Sequence, residues 1–265
     1  MRCRQASHRK LRGFPTAGAS KRGWTTWLTG ASQYPRVTAI APMVIDMLNM
    51  PVTLEYQKEI YGGAYSEEIH DYVALEIPQA IKSDFGNSVV QMIDPYSYRA
   101  RLAMPKMLFM GTNDPYWTID AVKHYIDDIP GQNYLCYVPN VAHGLGDKKQ
   151  AYASLSAFFG MSLTRQPYPA CQWTLIEKGK KITLDIKTST CRPVRAVLWT
   201  AESSVRDFRN SSWMSREIPL KNTGNLQVTT GYPQKGFNAF YVELVYDSPV
   251  GGAYSITTYR KDTNF

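Results

Sequence analysis

The pattern of apolar and polar positions changes character near residue 165. Before it, short continuous apolar runs alternate with helix-like stretches. Val37 to Ile45 carries no charge, Lys106 to Met110 is apolar after its first residue, and Tyr134 to Val138 is uncharged and largely apolar. Such runs suit strands of a parallel sheet covered on both faces. A helix is predicted over about Ile119–Ile129, with Thr118 as N-cap, Asp120 in the first turn and Gly131 just beyond the end. Another is predicted from Lys148 to Phe159, where Ala151, Leu155, Phe158 and Phe159 fall at helical spacing. A third follows a Gly-rich turn, from Trp24 to Leu28. Alternating strands and helices imply βαβ units and a parallel sheet with helices on both faces. Residues 62–100, rich in Gly, Tyr, Ser and Pro, break the alternation. They read as an insertion between two core strands, of the kind that often covers an active site.

After residue 165 the period becomes two. Lys181–Lys187, Arg195–Thr200, Phe240–Tyr246 and Tyr254–Tyr259 alternate polar with apolar, and turn residues separate them. Short antiparallel strands of this kind predict an Ig-like β-sandwich. The expected organisation is a basic start without fixed structure over residues 1–12 and an α/β unit over 13–164 with its insertion at about 62–100. A β-sandwich follows over 165–265, with a linker at Thr164–Ala170 that holds Pro167 and Pro169.

Composition narrows the class. With 265 residues, 44% of them hydrophobic and 20% charged, the chain suits one large globular domain or two ordinary ones. No stretch approaches the ~18–20 apolar residues of a membrane-spanning helix, and the basic start lacks the apolar core of a signal peptide. The net charge of +8 is local: Arg2, Arg4, Arg9, Lys10, Arg12, Lys21 and Arg22 lie in a segment without Asp or Glu, leaving 23 basic and 22 acidic residues elsewhere. A basic interaction arm and a chain start of no functional consequence both fit that segment. Nothing downstream resembles a nucleic-acid motif, so a nucleic-acid partner is not expected. The cysteines Cys3, Cys136, Cys171 and Cys191 form no C-x-x-C pair, and none has histidine at metal-ligand spacing, so neither metal nor cofactor is expected. Cys171 and Cys191 fit a disulfide in an exported protein and fit buried thiols equally well. Oligomeric state stays open.

Three residues stand where chemistry is usually placed. Ser20, in Gly18-Ala19-Ser20-Lys21-Arg22-Gly23, has the small preceding neighbours that a nucleophilic serine on a strand-to-helix elbow needs. A helix starting near Lys21 would aim its free N–H groups at the site, and the Lys21 backbone N–H is the expected oxyanion donor. Arg22 occupies the position where the generic G-x-S-x-G pattern has its second glycine. The same hexapeptide also suits a plain Gly-Ser turn. Asp114 lies just past an apolar run, where parallel sheets gather functional groups and an acid can hold a histidine's tautomer; Asn113-Asp114-Pro115 is also an ordinary turn. His143 follows the next run by five residues and suits general-base work. The order Ser, Asp, His is that of α/β-hydrolases. Tyr116 and Trp117 are candidate walls of a substrate pocket, with packing as the alternative, and His70 in the insertion is a third candidate. His124 is expected on a solvated helix face.

The same blocks resemble a known family. Gly18-Ala19-Ser20-Lys21-Arg22-Gly23-Trp24-Thr25-Thr26-Trp27-Leu28 is similar to the signature of the PhoPQ-activated pathogenicity-related proteins. Ala41 to Met50, Asp94 to Arg99, Gly111 to Trp117 and Tyr137 to Leu145 continue that likeness in order, closely over residues 17–146 and more loosely beyond. The resemblance implies the C-terminal half of an α/β-hydrolase sheet followed by a β-sandwich. It implies a serine hydrolase of esterase or peptidase type, with Ser20, Asp114 and His143 as triad and a small ester or peptide as substrate. It also implies an exported protein, secreted or periplasmic and in bacteria associated with virulence, or, in a eukaryotic branch, a secreted repressor of proliferation that signals without turnover. Members carry a long stretch before the serine, so this chain reads as N-terminally truncated, with earlier strands and a second oxyanion donor outside it. Residues 1–12 show none of the family's blocks. The elbow strand is expected over about 13–17, where Pro15 makes poor strand sequence.

Overall fold

A computed structural model of the chain describes residues 13–189, 191–220 and 225–259. The basic start expected over residues 1–12 lies outside them. The first half alternates as the apolar runs require: β1 (Phe14–Ala19), α1 (Lys21–Ala31), β2 (Val37–Met43) and α2 (Met50–Ile60). The insertion folds into three short helices, α3 (His70–Ala74), α4 (Ile77–Ala80) and α5 (Asp84–Ile93), flanked by 3-10 turns. Then come β3 (Lys106–Gly111), β4 (Asn133–Val138) and α6 (Lys149–Thr164). Strands β1 to β4 are parallel and pair in sequence order.

Both faces of this sheet are buried, which is why its strands read as unbroken apolar runs. Ala39, Ala41, Met107, Phe109 and Cys136 face α6, through Phe158 and Met161. Ile40, Leu108, Met110, Leu135 and Tyr137 face the other way, onto Trp27 and Ala31 of α1 and onto Val122, Tyr125 and Ile126. Strand β1 forms despite Pro15. It lies at one end of the sheet and, among the described residues, pairs on one side only, so the missing N–H costs no ladder bond.

The later strands are β5 (Ala170–Lys178), β6 (Lys181–Ser189), β7 (Arg195–Ser203), β8 (Met214–Ile218), β9 (Asn225–Gly231), β10 (Phe237–Asp247) and β11 (Ala253–Thr257). Three of them make a separate antiparallel sheet, β5-β6-β9; the other four extend the parallel one to the order β1-β2-β3-β4-β11-β10-β7-β8. The two sheets pack as a sandwich, Leu184, Ile186, Leu226 and Val228 sharing a core with Ala196, Leu198, Val242 and Leu244. Residue 165 therefore marks a change of strand pattern without a break in the sheet. The junction is the pairing of Thr257 in β11 with Leu135 in β4, supported by the Tyr137 N–H donating to Thr257 Oγ1 at 3.2 Å. Beside it the buried Glu243 accepts from Ser255 Oγ at 2.5 Å, Trp199 Nε1 at 2.8 Å and Gln150 Nε2 at 3.1 Å, tying β7, β10, β11 and α6 together.

The helix expected over Ile119–Ile129 does not form. Two 3-10 turns, Ala121–His124 and Ile126–Asp128, stand there instead. Thr118 Oγ1 caps nothing, and Tyr125 at φ −151° breaks the helical path. Its phenol is buried and donates to Asp46 at 2.6 Å, so a tertiary bond overrides the local pattern. His124, expected on a solvated face, is half-buried, its ring packed 4.5 Å from that of Tyr56. Among the described residues Cys136, Cys171 and Cys191 form no disulfide with one another.

Candidate active site

Ser20 stands between β1 and α1 with φ 55° and ψ −123°, a left-handed backbone costing about 1–3 kcal/mol that clusters at functional sites. Neighbouring glycines make the turn possible. A Cβ on Gly18 would lie 2.4 Å from the Arg22 carbonyl oxygen, so the first turn of α1 could not fold back over β1. A Cβ on Gly23 would lie 2.8 Å from the Met43 carbonyl oxygen and 2.7 Å from Ile45 Cγ2. The glycine this elbow needs is therefore the one facing the end of β2, at 23. Arg22 is exposed to solvent. The Ser20 N–H donates to Met43 O at 2.9 Å, and its side chain makes no capping bond. The hydroxyl thus lies at the positive end of α1, near the first amides of the helix, Lys21 N–H among them.

Asp114 and His143 follow β3 and β4, at the same edge of the parallel sheet. His143 Nδ1 donates to Asp114 Oδ2 at 2.8 Å, and the Tyr116 N–H donates to Asp114 Oδ1 at 2.9 Å. The carboxylate is buried, at 4% exposure, while the imidazole keeps 23%. With Nδ1 committed to Asp114, Nε2 is the nitrogen available for proton exchange. Gly111 allows the histidine loop to cross the end of β3: a Cβ there would meet Val141 O at 2.5 Å and Ala142 O at 2.6 Å. The acid loop is braced from α2 and the insertion, Gln57 Nε2 donating to Tyr116 O and Ser66 Oγ to Pro115 O, each at 2.7 Å.

The three pocket candidates differ. Tyr116 is half-buried, with its ring 4.3 Å from that of His143. Trp117 is a packing residue, 7% exposed, whose indole N–H donates to Val44 O at 3.1 Å. His70 is exposed and holds the Glu67 carbonyl through Nδ1 at 2.8 Å. Asp46 escaped notice in the sequence. It is buried behind the site, and burial, reinforced by the charges of Asp120 and Asp114, pushes its carboxyl up to about 8, against the lowering effect of the Tyr125 hydroxyl. Val44, at φ 45°, is a second strained position, its N–H donating to Phe109 O at 2.7 Å. Among the described residues no group of three or more His, Cys, Asp or Glu is placed to hold a metal ion. Nor is any described helix long and apolar enough to cross a membrane.

A parallel sheet covered by helices on both faces, with Ser20, Asp114 and His143 following β1, β3 and β4 at one edge, is an α/β-hydrolase-like arrangement. A sequence model of the PhoPQ-activated pathogenicity-related protein family matches residues 1–209, and the chain belongs to that family. The match begins at residue 1, so the start that showed no family block lies within it. Autocrine proliferation repressor protein A of Dictyostelium discoideum is 30% identical over 256 residues, covering 88% of this chain and 51% of that protein. The chain thus spans about half the length of that relative. Among solved structures, acetyl xylan esterase 1 from Thermoanaerobacterium sp. aligns with TM-score 0.44 and 16% identity, over 58% of this chain and 46% of that one. Est1E from Butyrivibrio proteoclasticus, with ferulic acid bound, aligns with TM-score 0.40 and 14% identity, over 58% and 61%.

Proposed function

We propose that the chain is a serine hydrolase that cleaves a carboxylic ester or amide through an acyl-enzyme. Ser20 Oγ attacks the carbonyl carbon, and His143 Nε2 takes the hydroxyl proton and returns it to the leaving group. Asp114 holds the Nδ1–H tautomer and stabilises the imidazolium, and the Lys21 N–H donates to the oxyanion. The observation that carries this reading is the 2.8 Å bond between His143 and the buried Asp114, on the sheet edge that ends at the strained Ser20. The half-buried Tyr116 ring beside His143 supports an apolar wall for the acyl or leaving group. The expected result with a p-nitrophenyl ester is a burst of nitrophenol stoichiometric with protein, lost in Ser20→Ala and His143→Ala. A second reading, secreted signalling without turnover, draws on the name of the Dictyostelium relative. It predicts no burst, and equal binding of a partner by the wild type and Ser20→Ala.

A further inference from the structure

The loop between β7 and β8, residues 204–213, reaches from the sandwich to both loops of the candidate site. Asn113, immediately before Asp114, donates through Nδ2 to the Ser211 carbonyl at 2.7 Å and the Arg209 carbonyl at 2.9 Å. Asn140, three residues before His143, donates through Nδ2 to the Trp213 carbonyl at 2.9 Å and accepts the Trp213 N–H on Oδ1 at 2.7 Å. Thr112 closes the ring. Its hydroxyl donates to Asn113 Oδ1 at 2.8 Å and accepts the Asn140 N–H at 2.8 Å.

The loop that holds this ring is itself well anchored. Arg209 pairs with Asp207 through Nε and Nη2 and lies 3.6 Å over the Tyr61 ring. Phe208 and Trp213 are buried. Asn140 adopts φ 57°, where glycine would be the least strained choice. Only an amide at that position grips both backbone groups of Trp213.

We propose that Asn113 and Asn140 are positioning residues. They fasten the acid loop and the histidine loop to one template in the β-rich half, which holds Asp114 and His143 in register. The proposal rests on the triad reading above, and it makes residues 208–213 a part of the active site's framework. It accounts for two side-chain amides spent on backbone groups far along the chain, next to the two residues that must stay aligned.

The test uses the full chain with Asn113→Ala and with Asn140→Gly, which keeps the positive φ and deletes the amide. Val205→Ala, at an exposed position on the same loop, is the control. Two readouts are taken on protein shown to be folded: ester hydrolysis normalised to titrated active sites, and the downfield proton resonance of the His143 Nδ1–H bonded to Asp114. Both asparagine variants are expected to lose about tenfold to a hundredfold in kcat, with KM nearly unchanged and the downfield resonance broadened or lost. Val205→Ala should match the wild type. Folded variants that keep kcat and the resonance would overturn the proposal, as would losses that merely track the unfolded fraction. If Asn140→Gly does not fold, Asn140→Asp, which keeps the acceptor and removes the donor, carries the same test. If the wild type hydrolyses nothing, the triad reading fails separately, and the resonance alone decides whether the clamp holds the pair.

Discussion

Replacing Gly23 by alanine would put a methyl group 2.7 Å from Ile45 Cγ2, 2.8 Å from the Met43 carbonyl oxygen and 3.1 Å from that of Gly18. Two of these atoms are backbone and cannot rotate away. Helix α1 must therefore back off by about half an ångström, an overpacking cost of about 1–3 kcal/mol. Alanine's higher helix propensity offsets about 1 kcal/mol of that. The expected net loss is about 0–2 kcal/mol, a fall in Tm of no more than several degrees for a chain of this size. The effect on reactivity is larger, because the same displacement moves the Ser20 hydroxyl and the Lys21 N–H together. A 1 Å misplacement costs about 10²-fold, so about tenfold is expected here. Urea unfolding followed by tryptophan fluorescence reads the first quantity, and the rate of reaction with a fluorophosphonate reads the second. Arg22→Gly is the companion variant. It restores the generic motif on the exposed face of α1, so it should cost about 1 kcal/mol of helix propensity and leave the reaction rate unchanged. A Gly23→Ala protein that is more stable than wild type and reacts at the wild-type rate would refute this account of the elbow.

Three further outcomes are expected. Asp114→Asn should keep the fold and lower kcat by about 10⁴-fold, since the imidazole loses the group that sets its tautomer; a loss of less than tenfold would contradict the triad. The Asp46 carboxyl is neutral in the fold until about pH 8, whereas in the unfolded chain it ionises near pH 4. Its contribution to stability is therefore full below about pH 4 and drains away as pH rises toward 8. Asp46→Asn should consequently gain on the wild type between pH 5 and pH 8 in urea unfolding, and parallel stability curves would contradict the assignment. Glu243→Leu should destabilise by about 2–4 kcal/mol, because the buried donors of Ser255, Trp199 and Gln150 lose their acceptor; calorimetry reads it, and an unchanged Tm would show the junction does not depend on that carboxylate.

The parts of the fold that were legible in the sequence are those whose burial is two-sided. Val37–Met43, Lys106–Gly111 and Asn133–Val138 had no polar face to disguise them, and the last two located Asp114 and His143 beside strand ends, while Ser20 was legible from its small neighbours Gly18 and Ala19. The parts that were not legible depend on distant partners. The segment after Thr118 has helix signals, but Tyr125 is drawn onto Asp46, 79 residues away. Strand β1 looked unfavourable because a proline's cost depends on which side of the strand is paired. The continuity of the eight-stranded sheet hangs on a pairing between Thr257 and Leu135 that no local pattern announces. At the site, Trp117 could not be assigned to wall or core until its indole was seen on the Val44 carbonyl. Asn113 and Asn140 were hidden because their partners are backbone carbonyls and amides, which leave no residue-type signature.

The central claim is that Ser20 is a nucleophile activated by the His143–Asp114 pair. Mapping the site of a fluorophosphonate adduct by peptide mass spectrometry tests it most directly. The account predicts one adduct, on the peptide holding Ser20, absent in Ser20→Ala and strongly slowed in His143→Ala. An adduct on another serine, or one on Ser20 whose rate ignores the loss of His143, would contradict it.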